Sequence, residues 1–140
     1  SQAVLEAFAN TQGLPIEVSR KVALPFAGGC SLGGNCGAVS GAFMAIGLTH
    51  GSADGQDADR FMLVMENVRE FAKRFREKHG DIKCRDLIGV DVFSEEGFME
   101  FQEKNIHDTH CAGFVAKSVE ILEEMFAEDG IETIARDAAR

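Results

Sequence analysis

Four cysteines, Cys30, Cys36, Cys84 and Cys111, are the residues of this chain whose chemistry goes beyond packing. Cys36 stands where a glycine-dense loop, Gly28-Gly29-Cys30-Ser31-Leu32-Gly33-Gly34-Asn35, runs into an apolar stretch that reads as a helix. A helix start exposes unpaired N–H groups and a partial positive charge. That setting favours the thiolate, which attacks, is oxidised and binds metals. Cys36 is therefore the sulfur expected to react most readily, with Gly37 and Gly41 clearing space beside it for a bulky group.

The thiols admit three readings. Four thiolates suit zinc or an iron–sulfur cluster, both of which take soft ligands. Cys30 and Cys36 are separated by five residues, not by two as in a Cys-x-x-Cys knuckle, and Cys84 and Cys111 are isolated. A shared site would have to be assembled from remote helix ends. The second reading is a reversible disulfide, with Cys36 attacking and Cys30 or a distant thiol resolving. No Cys-x-x-Cys in a strand–helix–strand setting supports a thioredoxin fold. The third reading is passive: free cysteine is among the most buried residue types and serves as a small apolar filler.

The remaining candidates are weaker. His107 and Cys111 are four apart, with His110 beside Cys111, a spacing that could form a mixed metal corner; solvated histidines near a helix start are the simpler account. The glycine loop is neither a P-loop nor a dinucleotide fingerprint, lacking Gly-Lys-Ser/Thr and Gly-x-Gly-x-x-Gly. His50 and His79 fall near helix ends, where a positive imidazole is stabilising.

The elements that must position these residues read as helices nearly throughout. Val4, Leu5 and Phe8 begin a first apolar stripe, and Pro15 opens a second helix running to about Ala23. A third spans Cys36 to about His50. Its Gly37, Gly41 and Ala45 recur four apart, which permits close helix–helix approach. Phe61, Val64, Val68, Phe71 and Phe75 mark a fourth helix, ending at His79-Gly80. A short helix follows Ser94, with a soft start because Gly97 cannot complete a capping box. Another covers about His107 to Ala127, and Ile131 to Arg140 reads as a last, frayed helix. The fold class expected is all-α, a single-domain bundle of about six to seven helices over residues 1–140.

Bulk composition narrows the function. A net charge of −9 over 140 residues argues against nucleic acid and anionic membrane surfaces. No apolar run approaches the ~18 residues of a membrane span. Four cysteines fit a cytoplasmic chain with metal-binding or redox thiols better than a secreted disulfide framework. The chain starts at Ser1 rather than Met, as a processed or trimmed start would. An exposed apolar remainder on the Phe-rich helices would suit a homodimer.

The run Gly34-Asn35-Cys36-Gly37-Ala38-Val39-Ser40-Gly41-Ala42, followed by Cys84 and Cys111, resembles the C-GCAxxG-C-C family, named for its cysteines and described as redox-active. Ser1-Gln2-Ala3-Val4-Leu5-Glu6-Ala7-Phe8 and Phe26-Ala27-Gly28-Gly29 extend the resemblance over nearly the whole chain. It implies an all-helical prokaryotic domain of this size whose cysteines meet in space. A related domain accompanies haem in split-Soret cytochromes, with an iron–sulfur cluster; Cys-x-x-Cys-His is absent here, so covalent haem is not expected. Cys36, Cys84 and Cys111 match the family's last three cysteines. The first falls directly before the Ser-Gln-Ala-Val stretch in many members; either Cys30 stands in for it, or the first cysteine is cut off or lost and Cys30 is an additional thiol in the glycine loop. The expectation is that Cys36, Cys84 and Cys111, with Cys30, form one redox site. An iron–sulfur cluster or another thiophilic metal comes ahead of a disulfide, with an unknown redox partner. The alternative is a non-catalytic helical binding or assembly module with passive cysteines.

Overall fold

The computed structural model describes residues 1–133. Among them seven α-helices and several short helical turns account for the regular structure: α1 (Gln2–Ala9), α2 (Ile16–Ala23), α3 (Gly37–His50), α4 (Ala58–His79), α5 (Cys84–Ile88), α6 (Glu95–Glu103) and α7 (Ala112–Glu128). The fold is all-α, as the periodicity implied. The helix expected over Ile131–Arg140 lies largely outside the described residues, and its first three, 131–133, are not helical.

From Gly37 to Thr49, α3 carries no charged side chain. A helix apolar on every side must be covered on every side, and α3 is accordingly the centre, packed by α1, α4 and α7. Phe8, Phe71, Phe75 and Phe126 fill the spaces between these helices and are fully buried. Each contributes roughly 1.5–3 kcal/mol through burial. Phe8 meets Phe126 edge-on with centroids 5.4 Å apart, pinning α1 to α7. Arg74 of α4 donates to Glu70 on its own helix and to Glu128 at the end of α7.

The small-residue stripe of α3 works as a packing device. A Cβ on Gly41 would lie 2.5 Å from the Ser1 carbonyl oxygen and 3.1 Å from Val4 Cβ. The bare backbone thus lets the start of α1 press against α3. The same end of α1 is tied to α2, since Ser1 Oγ donates to the Ala23 carbonyl at 2.7 Å.

Two local starts are firmer than sequence suggested. Asp57 caps α4, its carboxylate accepting from Arg60 N. Ser94 caps α6, its hydroxyl accepting from Gly97 N at 3.0 Å. Gly97 is what makes this possible, because a Cβ there would collide with the Asp91 carbonyl.

His50 and His79 are not cationic helix-end residues. His50 is buried, edge-on to Phe126, and His79 lies between Phe75 and Phe114. Burial, the larger cause in each case, holds both imidazoles below the ordinary histidine pKa.

Candidate redox site

Cys36 and Cys84 are brought together by backbone, not by side-chain packing. Asn35 and Lys83 form an isolated antiparallel bridge. On either side of it Cys36 N donates to the Ile82 carbonyl and Cys84 N to the Gly34 carbonyl, both at 2.7 Å. Neighbours of an opposed pair point to the face opposite that pair. Asn35 and Lys83 are exposed, while Cys36, Ile82 and Cys84 are buried. The two thiols therefore leave the ribbon on one inward face. Asp81 sets the second strand, its carboxylate accepting from Ile82 N at 2.6 Å and Lys83 N at 3.0 Å. Those two bonds hold the carboxyl below the usual carboxylate range.

The bridge also joins two helix starts. Cys36 is the residue immediately before α3 and accepts from Ser40 N at 2.9 Å, as the loop-to-helix reading expected. Cys84 opens α5. Cys111 arrives from the other side, at the end of a wide helical turn, His107–Cys111, that feeds directly into α7. Such turns insert an extra residue into a helix and shift the side chains that follow.

Cys36, Cys84 and Cys111 line one cavity of about 380 Å³. Ser1, Gly37 and Ala38 complete the wall beside Cys36, and Phe93, Phe98 and Phe101 stand among the residues lining the rest. Burial pushes the Cys84 thiol up to about 11, with Cys36 and Cys111 adding to the shift. Burial likewise raises Cys111, with Cys36 second. For Cys84 and Cys111, desolvation and the charge of neighbouring thiols act in the same direction, against the thiolate.

Cys30 does not join them. It is exposed and stands off the cavity. It lies in a left-handed stretch in which Gly28, Gly29, Cys30 and Ser31 all have φ between 58° and 65°. Left-handed backbone costs roughly 1–2 kcal/mol at each non-glycine residue, and here it turns Cys30 outward. The glycines assigned to a cofactor divide. Gly37 lines the cavity, yet a Cβ on it would meet the Phe26 carbonyl at 3.0 Å. Gly41 serves the α1 contact. His107 reaches the cavity edge but is exposed and paired through Nδ1 with Asp108 at 2.9 Å.

Sequence reasoning missed the cavity's far wall. Arg85 binds the Asp91 carboxylate at 3.0 Å, and Asp91 in turn accepts from Phe93 N and from Ser94 Oγ. This lashing lays Phe93 against Gly28, where a Cβ would come within 2.6 Å of the ring. The available signal was Asp91-Val92-Phe93-Ser94, an Asx turn followed by a helix cap.

Fold and site together define a small all-α protein with a thiol-lined apolar cavity at its centre of chemistry. The chain belongs to the family described as "Putative redox-active protein (C_GCAxxG_C_C)", whose model matches residues 1–125. No curated protein and no solved structure matches it. Among the described residues, no helix is long and apolar enough to cross a membrane.

Whether a metal suits the cysteines depends on donor type and spacing. The donors are soft, as iron–sulfur and thiophilic metals require. Among the described residues, however, no three His, Cys, Asp or Glu side chains are grouped closely enough to hold a single metal ion. A mononuclear zinc site therefore does not fit. A polynuclear cluster meets its thiolates at several metal atoms and tolerates the wider spacing.

Proposed function

We propose that Cys36, Cys84 and Cys111 hold an iron–sulfur cluster in the cavity and that the protein transfers electrons through it. The observation that carries this reading is the convergence of three remote cysteines on one apolar cavity. When bound, such a cluster supplies a one-electron couple. The protein's part is to supply soft donors, wall the site with Ile88 and the phenylalanines, and fix Cys36 and Cys84 on a common backbone bridge. The family resemblance sets a further cysteine immediately before the stretch that begins here at Ser1. Ser1 lines the same cavity.

Two magnitudes favour this over a reversible disulfide. Diagonal neighbours across an antiparallel pair sit about 7–8 Å apart, at the upper limit of about 7 Å between the Cα atoms of a disulfide. A thiol with a pKa of about 11 is thiolate to only about one part in ten thousand at pH 7. Cys84 is thus a poor partner in exchange unless a metal displaces its proton.

Anaerobic isolation, or reconstitution with ferrous iron and sulfide, tests the proposal. Visible charge-transfer bands with iron and sulfide bound are expected. A colourless, iron-free protein that loses two titratable thiols on mild oxidation would favour the disulfide. Four unreactive thiols in a colourless protein would leave a passive helical module.

A further inference from the structure

We infer that the apolar half of this cavity is a binding site for a neutral aromatic molecule, seated beside the cysteines. Ile88, Val92, Phe93, Phe98, Phe101 and Val115 line it, facing the sulfur wall. The whole cavity, sulfur wall included, measures about 380 Å³, and lining by aromatic and aliphatic side chains with a few convergent polar groups is the usual character of small-molecule sites.

Charge decides the class of ligand. Among the described residues, no Asp, Glu, Lys or Arg lines the cavity, and His107 at its edge is committed to Asp108. A phosphate or carboxylate would enter without a lysine or arginine side chain to meet it, inside a protein of net charge −9. An uncharged ring loses no ionic hydration there and gains edge and face contacts with the phenylalanines.

The wall is built to receive such a ring. Phe93 and Phe98 remain 52% and 49% exposed although both line the cavity. Phe93 is held in place by the Arg85–Asp91 pair and not by core packing. Its ring rests on Gly28, a position with φ of +62° where any Cβ would displace it. Rings kept at a cavity mouth, half in water, offer faces that no part of the described chain covers.

The test uses two probes of nearly the same shape. N-phenyl-1-naphthylamine is neutral; 1-anilinonaphthalene-8-sulfonate adds one negative charge. Fluorescence titration of the full chain, with and without reconstituted iron, should show saturable binding of the neutral probe and binding of the sulfonate weaker by about tenfold or more. Phe98→Asp, which places a charge at an exposed mouth position, should weaken the neutral probe by a similar factor. Phe93→Ala gives the same reading if Phe98→Asp fails to fold. Equal binding of the two probes, or neutral-probe binding untouched by the variants, overturns the inference. So does absence of binding to both forms. Binding to the metal-free form alone means a cluster fills the space, which also overturns it. Saturable neutral binding to a chain that takes up no iron would sustain this site while removing the cluster.

Discussion

Cys36 and Cys84 lie on the same face of a two-stranded contact in which only Asn35 and Lys83 are directly opposed. Their meeting depends on two main-chain hydrogen bonds and on the Asp81 turn behind them. Side-chain identity at the flanking positions matters little, so the thiols can be changed one at a time without undoing the geometry that gathers them.

Cys36→Ser and Cys84→Ser should each remove most of the bound iron and the visible absorption of the reconstituted protein, and Cys111→Ser should do so as well. Cys30→Ser should retain both, because Cys30 is exposed and off the cavity. Iron analysis alongside the absorption spectrum reads this out. A Cys30→Ser protein that loses its iron would contradict the placement of that residue.

Alkylation should order the thiols in the metal-free protein. At pH 8 a thiol with a pKa of about 11 is thiolate to about one part in a thousand. Cys84 is also buried, whereas Cys30 is exposed. Timed treatment with iodoacetamide and peptide mapping should find Cys30 modified first and Cys84 among the last. Loading the cluster should protect Cys36, Cys84 and Cys111 and leave Cys30 reactive.

Two glycines of α3 should respond to alanine with opposite signs. A Cβ on Gly41 would press on the backbone of Ser1, which cannot yield without moving α1. Overpacking of this kind costs about 1–3 kcal/mol, a fall in Tm of roughly 3–10 °C for a domain of this size. Beyond its own helix backbone, nothing among the described residues lies within 4 Å of a Cβ on Gly47, in the same helix. There the substitution removes only unfolded-chain freedom, and Gly47→Ala should stabilise by about 0.5–1 kcal/mol. Thermal melts of the two variants decide it.

The helices were legible because their signals are side-chain patterns. The stripe ending in Phe71 and Phe75 gave α4, although Phe61 at its head proved exposed. The four-residue spacing of Gly37 and Gly41 announced close packing, and Gly41 supplies it against Ser1. The site was legible only in its parts. Cys36 read correctly as a loop-to-helix residue, but nothing in the side chains of Gly34-Asn35-Cys36 and Ile82-Lys83-Cys84 announces a backbone bridge. A pairing made by N–H and C=O groups leaves no periodic trace when it is one residue pair long. Cys30 failed for a related reason: the left-handed run that turns it out is written in backbone dihedrals shared between glycine and non-glycine residues.

Two histidines, His50 buried and His79 half-buried, give the fold a pH dependence that sequence position alone would have reversed. A cationic imidazole at a helix end would stabilise the fold as pH falls. Here burial lowers the folded pKa of both His50 and His79. For His50 the Asp129 carboxylate, 3.4 Å from Nε2, opposes the shift without overcoming it, and Arg60 reinforces it; for His79 Lys117 reinforces it. Below the ordinary histidine value of about 6.5, the unfolded chain then binds protons that the folded chain refuses, and stability declines as pH falls toward the depressed folded values. Above that value neither residue contributes a slope. Tm should accordingly fall by a few degrees between pH 6.5 and 5.5. His50→Gln combined with His79→Gln should flatten that decline whatever its effect on Tm at pH 8, since glutamine does not titrate. An unchanged slope in the double variant would mean that other groups govern the acid side.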